Sequence, residues 1–374
     1  MFESCNGKLE ELLFDTTPHG LVPLLLVPTE SAQQPASRAA STELQISSSS
    51  FDATSPSAFV VGSSQQHAGN GAKNDPRNTF CTLPPEIYGL IFSYLNLVEL
   101  ACVSLTTPCL LGITQETVHL YLRSLLGTWA GEKIVCAGDE GTPGDYPPGL
   151  FSAEEEEDFK KTSLVLIYNS DGETDGTFDF AKDGEDGEPL NLYSLSERPG
   201  TRIDGDISFR RISQKVYDKC MERTLKVNGV YPGSWMAVLD KRHDICVDRS
   251  PFVPTDEAWI LRNLTTKEFA TSAGIALDAN FIDGPFIEGI GFGEVVMSRT
   301  CWSSSASTSM SYKGQMHRGV WAGHRFDITT RRRHDESTKD EEGEWKDVTK
   351  EVASEIAAIW KSAYGQKWRE IMMS

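Results

Sequence analysis

Residues 83–113 read LPPEIYGLIFSYLNLVELACVSLTTPCLLGI. Nineteen of these 31 residues are apolar and only Glu86 and Glu99 are charged, whereas the whole chain is 24% charged. Pro84 and Pro85 suit a first helical turn, where a missing N–H costs little. Ile87, Ile91 and Leu95 then recur every four residues, with Leu90 and Tyr94 beside them and Tyr88 and Phe92 on another face. Asn96 is a good N-cap, and Glu99 three residues on completes an Asn-x-x-Glu capping box. A second helix follows through Leu97, Leu100, Ala101, Val103 and Leu105, Pro108 opens a further turn, and residues 115–126 continue helically. Between Pro85 and Leu95 only Glu86, Gly89 and Ser93 could face water. Helices so apolar must bury more than one face, either in the neighbouring part of the chain or against another polypeptide.

Outward from this stretch the composition changes on both sides. From Ser31 to Ser64 there are eleven serines among Gln, Ala, Thr and Pro. So few apolar residues cannot offset an ordering entropy of roughly 1–2 kcal/mol per residue. Residues 1–79 therefore read as a disordered Ser-rich tail, with the short apolar run Leu21–Val27 able to dock locally. A helical module spans 80–126, and 127–374 is long enough for a substantial core. Beyond 127, strand-like runs appear at Lys133–Ala137, Ser163–Tyr168, Trp235–Leu239, Trp259–Leu264, Glu294–Met297 and Gly319–Ile328, separated by Gly, Pro and Asp. Residues 212–225 read as a helix. Val348, Val352, Ile356, Ile359, Ala363 and Tyr364 mark an amphipathic helix that Gly365 interrupts before Trp368. Glu154–Asp158, Asp171–Glu188 and Arg331–Asp347 read as charged loops. The expected fold class is α+β, with mainly antiparallel strands closed by a C-terminal helix.

The net charge of −19 disfavours nucleic acid and anionic membranes as partners. No run of apolar residues is long enough to predict a membrane-spanning helix, and the first residues do not read as a secretory signal. Eight scattered cysteines without a C-x-x-C pair suit a reducing compartment, so a cytoplasmic or nuclear location is expected.

Motifs that carry chemistry are few. There is no G-x-S-x-G, P-loop or H-E-x-x-H. Gly289-Ile-Gly-Phe-Gly293 lacks dinucleotide-binding spacing and is expected to lie in a loop or tight strand approach with no helix after it. Asp171–Asp179 places oxygen ligands as a calcium loop would, but position 12 is Lys182 in place of Glu, which leaves a solvated acidic loop. His317 and His324 read as strand or loop histidines, with a metal pair as the alternative. Asp240-Lys-Arg-His-Asp244 reads as a surface turn, and Arg331–Arg333 as a solvated segment. No cofactor or metal is expected. One echo stands out: Trp129-Ala-Gly-Glu-Lys133 and Trp321-Ala-Gly-His-Arg325 share Trp-Ala-Gly-x-basic. It reads either as two strands whose Trp residues share a core or as a duplicated half-domain or paired binding wall.

The order Leu83-Pro84-Pro85-Glu86-Ile87, Ile91-Phe92-Ser93-Tyr94-Leu95, Leu97-Val98-Glu99-Leu100 and Val103-Ser104 closely resembles the F-box, over about 30–45 residues of the chain. The later segments Trp259–Phe269, Trp321–Ile328 and the C-terminal helix resemble uncharacterised F-box proteins of filamentous fungi. Where many F-boxes carry a basic residue and a Trp after Val-Ser, this chain has Leu-Thr-Thr-Pro-Cys-Leu-Leu, which alters the third helix. The resemblance implies a small three-helix module that binds the Skp-type adaptor of a cullin-based ubiquitin ligase, with Leu83, Pro84, Ile87, Ile91, Phe92, Leu95, Leu100 and Val103 as the adaptor contacts. It implies that residues 127–374 recruit an unknown protein substrate and that the chain is itself no enzyme. The alternatives are an adaptor-bound protein outside any ligase, an enzyme whose active site is assembled from distant residues, and a structural protein whose helices are wholly covered.

Overall fold

Residues 17–29 show how the chain builds its core. The run Leu21–Leu26 is buried throughout, and residues Thr17–Leu25 form helix α1. Leu26 bridges Ile328, and the Val27 N–H donates to Ile328 O at 2.8 Å. The Trp129 N–H donates to Leu24 O at 2.8 Å. The segment is thus pinned to two parts of the chain more than a hundred residues away. The computed structural model describes residues 2–4, 13–14, 17–29, 83–104, 108–124, 126–138, 141–166, 178–182, 187–196, 252–306 and 312–373. Of the Ser-rich tail expected over 1–79, residues 30–79 lie outside the described residues, whereas 17–29 are helix and core. The expected helix at 212–225, the strand at 235–239, the turn at 240–244 and most of the Asp171–Glu188 loop also lie outside them.

The described residues fall in two compact units, one made of residues up to 29, 124–196 and 252–373, the other of 83–123. In the first, strand β1 is Phe2–Ser4 and β2 is Lys133–Ala137. A small antiparallel sheet joins β3 (Thr162–Leu166) to β4 (Phe178–Lys182) and β5 (Glu188–Pro189). Strands β6 (Trp259–Asn263) and β7 (Glu268–Thr271) form a hairpin, and β8 (Ile282–Asp283) pairs β9 (Phe286–Ile287). Strands β10 (Cys301–Trp302), β11 (His324–Thr330) and β12 (Lys346–Asp347) complete the set. The main sheet runs β1-β2-β11-β6-β7-β12, with β10 also on β2. Its middle pairs are antiparallel, while β1 and β10 on β2 and β12 on β7 are parallel. The result is a mixed fold of the α+β kind.

The second unit holds α2 (Pro85–Phe92), α3 (Leu97–Ser104) and most of α4 (Pro108–Ser124). In the first unit, α5 (Ala153–Lys160) replaces the expected loop over Glu154–Asp158. Ser152 and Glu155 form a capping box there, Glu155 accepting from the Ser152 N–H at 2.7 Å. The acidic first turn also suits the positive end of the helix. Helix α6 (Leu192–Ser196) packs on β1 and β2, and α7 (Ser272–Ile275) packs on α10 (Thr349–Tyr364). Of the expected C-terminal stripe, Val348, Val352, Ile356 and Ile359 are buried, but Ala363 and Tyr364 are exposed. Helix α11 (Trp368–Met372) follows, with Trp368 buried.

Two further expectations are corrected. Glu294–Met297 is not a strand, and a helix does follow the glycine cluster: α8 spans Phe292–Thr300 and is buried at every residue. A run apolar on all sides has no period to distinguish the two. What fixes the helix is local: Glu294 Oε2 accepts from the Gly291 N–H at 2.8 Å. A side chain at Gly293 would collide with the Pro18 backbone, so glycine lets α1 and α8 approach. Arg331–Asp347 is likewise no simple loop. Thr330 caps α9 (Arg331–Ser337) by accepting from the Arg333 N–H at 3.3 Å, and Arg331 pairs with Asp335 one turn on.

The Trp-Ala-Gly echo is a pair of related turns. Lys133 lies opposite Arg325 in the β2–β11 pairing. The Gly131 N–H donates to Phe326 O and the Gly323 N–H to Ile134 O, both at 2.8 Å. Both glycines have positive φ, 81° and 79°, where L side chains are disfavoured. Trp129 and Trp321 are both buried. The like-charged Lys133 and Arg325 are tolerated because each takes carbonyl acceptors: Lys133 on Gly149 and Leu150, Arg325 on Gly131.

Candidate functional site

Helix α2 starts where the two prolines place it. Pro84 is the N-cap with extended backbone, and Pro85 takes the first helical position. The helix ends as Ser93 turns its hydroxyl back onto Leu90 O at 2.8 Å. Asn96 Oδ1 then accepts from the Glu99 N–H at 3.0 Å, and Glu99 Oε2 accepts from the Asn96 N–H at 3.2 Å. This reciprocal cap starts α3 and fixes the turn between the helices. In α4, Thr114 sends its hydroxyl back to Leu110 O at 2.8 Å.

The side chains of α2 separate into two stripes. Tyr88 and Phe92, four residues apart, are buried with their rings 5.8 Å apart. Ile87, Leu90 and Tyr94, at i, i+3 and i+7, are 40%, 58% and 72% exposed. Ile87 and Leu90 share a face of the helix, and Tyr94 lies just past its end. With Leu120 of α4 they make four of the eight exposed large apolar side chains among the described residues, concentrated in a short part of the chain. An apolar stripe of this kind is the usual mark of a protein-binding surface.

The sequence-derived contact set distributes unevenly over this geometry. Pro84 and Ile87 are exposed, Leu83, Ile91, Leu95 and Val103 are half-buried, and Phe92 and Leu100 are buried within the chain. The contact set omits Leu90 and Tyr94, both more exposed than Ile87. Their signal was present as the i, i+3, i+7 spacing from Ile87, but without coordinates two apolar stripes on one short helix cannot be ranked.

The polar clusters of the other unit are structural in their bonding. Arg318 grips Asp145 through both guanidinium nitrogens, at 2.6 and 2.8 Å, and Ser304 donates to the same carboxylate at 2.6 Å. The Arg318 hydrogen bond, aided by Ser304, holds the Asp145 carboxyl below its ordinary range despite partial burial. Arg318 also lies over the Trp302 ring at 4.5 Å. Arg299, buried in α8, meets Glu351 and Glu355 of α10 and lies 4.3 Å over Trp321. Burial pushes the Glu355 carboxyl up even though Arg299 opposes it. Arg262 chelates Asp327 at 2.7 and 2.6 Å. His19 Nδ1 lies 3.1 Å from Glu294, whose other oxygen caps α8.

His324 and His334 lie in separate surroundings. His324 Nδ1 meets Asn263 Nδ2 at 2.9 Å, and burial lowers its pKa while Glu268 raises it. His334 lies against Phe269 and Trp345, its pKa lowered first by burial and then by Arg262 and Arg331. Among the described residues no group of three or more His, Cys, Asp or Glu could hold a metal ion. Nor is any described helix long and apolar enough to cross a membrane. Residues 171–177 of the calcium-like loop lie outside the described residues. Comparison of the chain with protein-family models, curated proteins and solved structures gives no match.

Proposed function

We propose that residues 83–124 act as an F-box-like module that docks on a Skp-type adaptor, and through it a cullin, while the mixed α/β unit holds a protein substrate. The observation that carries this reading is the exposure of Ile87 and Leu90 on α2 and of Tyr94 just past its end, in a segment whose sequence resembles the F-box. An exposed apolar face gains free energy when a partner covers it. Leu83, Pro84, Ile87, Ile91, Leu95 and Val103 then meet the adaptor together with Leu90 and Tyr94. Phe92 and Leu100, already buried, hold the module in shape. The three helices over Pro85–Ser124 agree with such a module in number and order.

In this role the chain performs no bond chemistry. It raises the local concentration of the substrate beside a charged conjugating enzyme, and the rate gain is one of proximity. The test is co-purification of the full chain with the adaptor and the cullin. Leu83→Ala together with Pro84→Ala abolishes adaptor capture in a chain of unchanged circular dichroism. Retained capture by that folded double variant rejects the reading. Adaptor capture without cullin assigns the chain to an adaptor-bound complex outside the ligase.

A further inference from the structure

The geometry points to a redox couple in the core: Cys136 of β2 and Cys301 of β10 are poised to form a reversible disulfide under peroxide. The two strands are parallel and the two cysteines are direct partners in the register, Cys301 opposite Cys136 and Trp302 opposite Ala137. Residues paired in this way project to the same face of the sheet. Neighbouring strands lie about 4.8 Å apart, inside the roughly 4.4–6.8 Å Cα separation that a disulfide spans. Both side chains are buried, and neither is in a disulfide here. The inference is independent of the adaptor reading.

Placement sets how this couple behaves. The Cys301 Sγ–H now donates to Met297 O at 3.1 Å, in the last turn of α8. Closing the disulfide turns that sulfur away from Met297, so the bond forms at the loss of a hydrogen bond. A disulfide of that kind has a higher potential and is readily reduced, as reversible rather than structural ones are. Access needs a local opening of the two-residue β10, which must part from β2 and also from Gly319 and Arg318 on its other side. The chemistry balances in two steps. One thiol and hydrogen peroxide give a sulfenic acid and water. The second thiol displaces that hydroxyl, forming the S–S bond and a second water, and a dithiol reductant restores both thiols.

Oxidation ties the C-terminal end of α8 to β2. It also fixes the start of the segment that carries Trp302, Ser304 and Arg318, the three side chains gathered at Asp145. The test uses the full chain, freed of reductant and treated with hydrogen peroxide at a dose that oxidises the exposed Met373. The protein is then denatured, alkylated and mapped by mass spectrometry. The expected result is one peptide pair joined through Cys136 and Cys301, lighter by two hydrogens than its parts and separated again by dithiothreitol. The Cys301→Ser chain yields no such pair, and the Cys136→Ala chain serves if that variant is poorly folded. Recovery of Cys136 and Cys301 as alkylated thiols at that dose, or their joining to other cysteines, overturns the proposal.

Discussion

Helices α2 and α8 are almost equal in length, eight and nine residues, yet their sequences and their surroundings run in opposite directions. Helix α8 carries Glu294, Ser298, Arg299 and Thr300, and every one of them is buried. Helix α2 carries one charged residue and leaves Ile87 and Leu90 in water, with Tyr94 just beyond its end. Polarity alone would have placed them the other way round. What separates them is partners. Glu294 is bonded to Gly291, and Arg299 faces two carboxylates of α10, so their charges are offset, although Arg299 Nε and Nη1 and Thr300 Oγ1 have no hydrogen-bond partner among the described residues. The stripe of Ile87 and Leu90 on α2 is exposed among the described residues, and exposure of that kind brings no gain unless another surface covers it.

The strongest way to break this comparison is at Arg299. Arg299→Ala removes the cation that faces the exposed Glu351 and the half-buried Glu355. It also empties the space over Trp321. Removing one member of a fully buried pair costs about 3–5 kcal/mol. With Glu351 and Glu355 partly in water the loss is about 2–3 kcal/mol, and urea denaturation followed by tryptophan fluorescence measures it. A loss below about 1 kcal/mol, the size of a surface pair, means that water reaches Arg299 and that α8 is not sealed.

The stripe on α2 answers the opposite way. Leu90→Lys with Tyr94→Lys places charge on a face already in water, so each change moves stability by within about 0.5 kcal/mol. Adaptor capture falls by at least about tenfold, equivalent to about 1.4 kcal/mol. A stability loss like that at Arg299 shows the stripe to be covered, and the contrast between the helices disappears.

A third prediction follows acidity at Asp145. The Arg318 guanidinium holds that carboxyl low in the folded chain, so the folded state binds its proton less readily than the unfolded state does. The resulting stabilisation is present above the unfolded value of about 3.9. It is lost as pH falls through the lower folded value. Asp145→Ala removes it at neutral pH, with a cost of about 1–3 kcal/mol for hydrogen bonds to a charged group. The gap in thermal midpoint between the variant and the parent, open at pH 7, narrows progressively as pH falls below the unfolded value if the clasp acts in this way.

These sites differ in how far they could be read in advance. Val352, Ile356 and Ile359 were legible because an amphipathic helix repeats its apolar residues in the period of its turns. Asn96 and Glu99 were legible because a cap is a local pattern. Glu294–Met297 reads as a strand because a helix buried on every side has no period to detect. Ser152 and Glu155 had the same kind of local signal as Asn96 and Glu99, obscured by the acidic run around them. The pairing of Phe2–Ser4 with β2 and the burial of Leu21–Leu26 depend on residues far along the chain, and no local pattern encodes them. On α2 the sequence made both stripes visible, but only coordinates show that Tyr88 and Phe92 turn inward while Leu90 and Tyr94 stay out.

The smallest expected effect sharpens the comparison most directly, because the same device begins both α3 and α8. In each, a Glu three residues past the cap accepts the cap's N–H: Glu99 from Asn96 at 3.2 Å, Glu294 from Gly291 at 2.8 Å. The first bond is exposed and the second is buried. Glu294→Ala leaves a buried N–H without its acceptor, at a cost of about 1–3 kcal/mol. Glu99→Ala lets water take the place of the carboxylate, so its cost stays at about 0.5 kcal/mol, the low end for a lost cap. Paired urea titrations of the two variants read the difference. Equal losses place α3 in surroundings as dry as those of α8, and the open stripe next to it on α2 then has no physical basis.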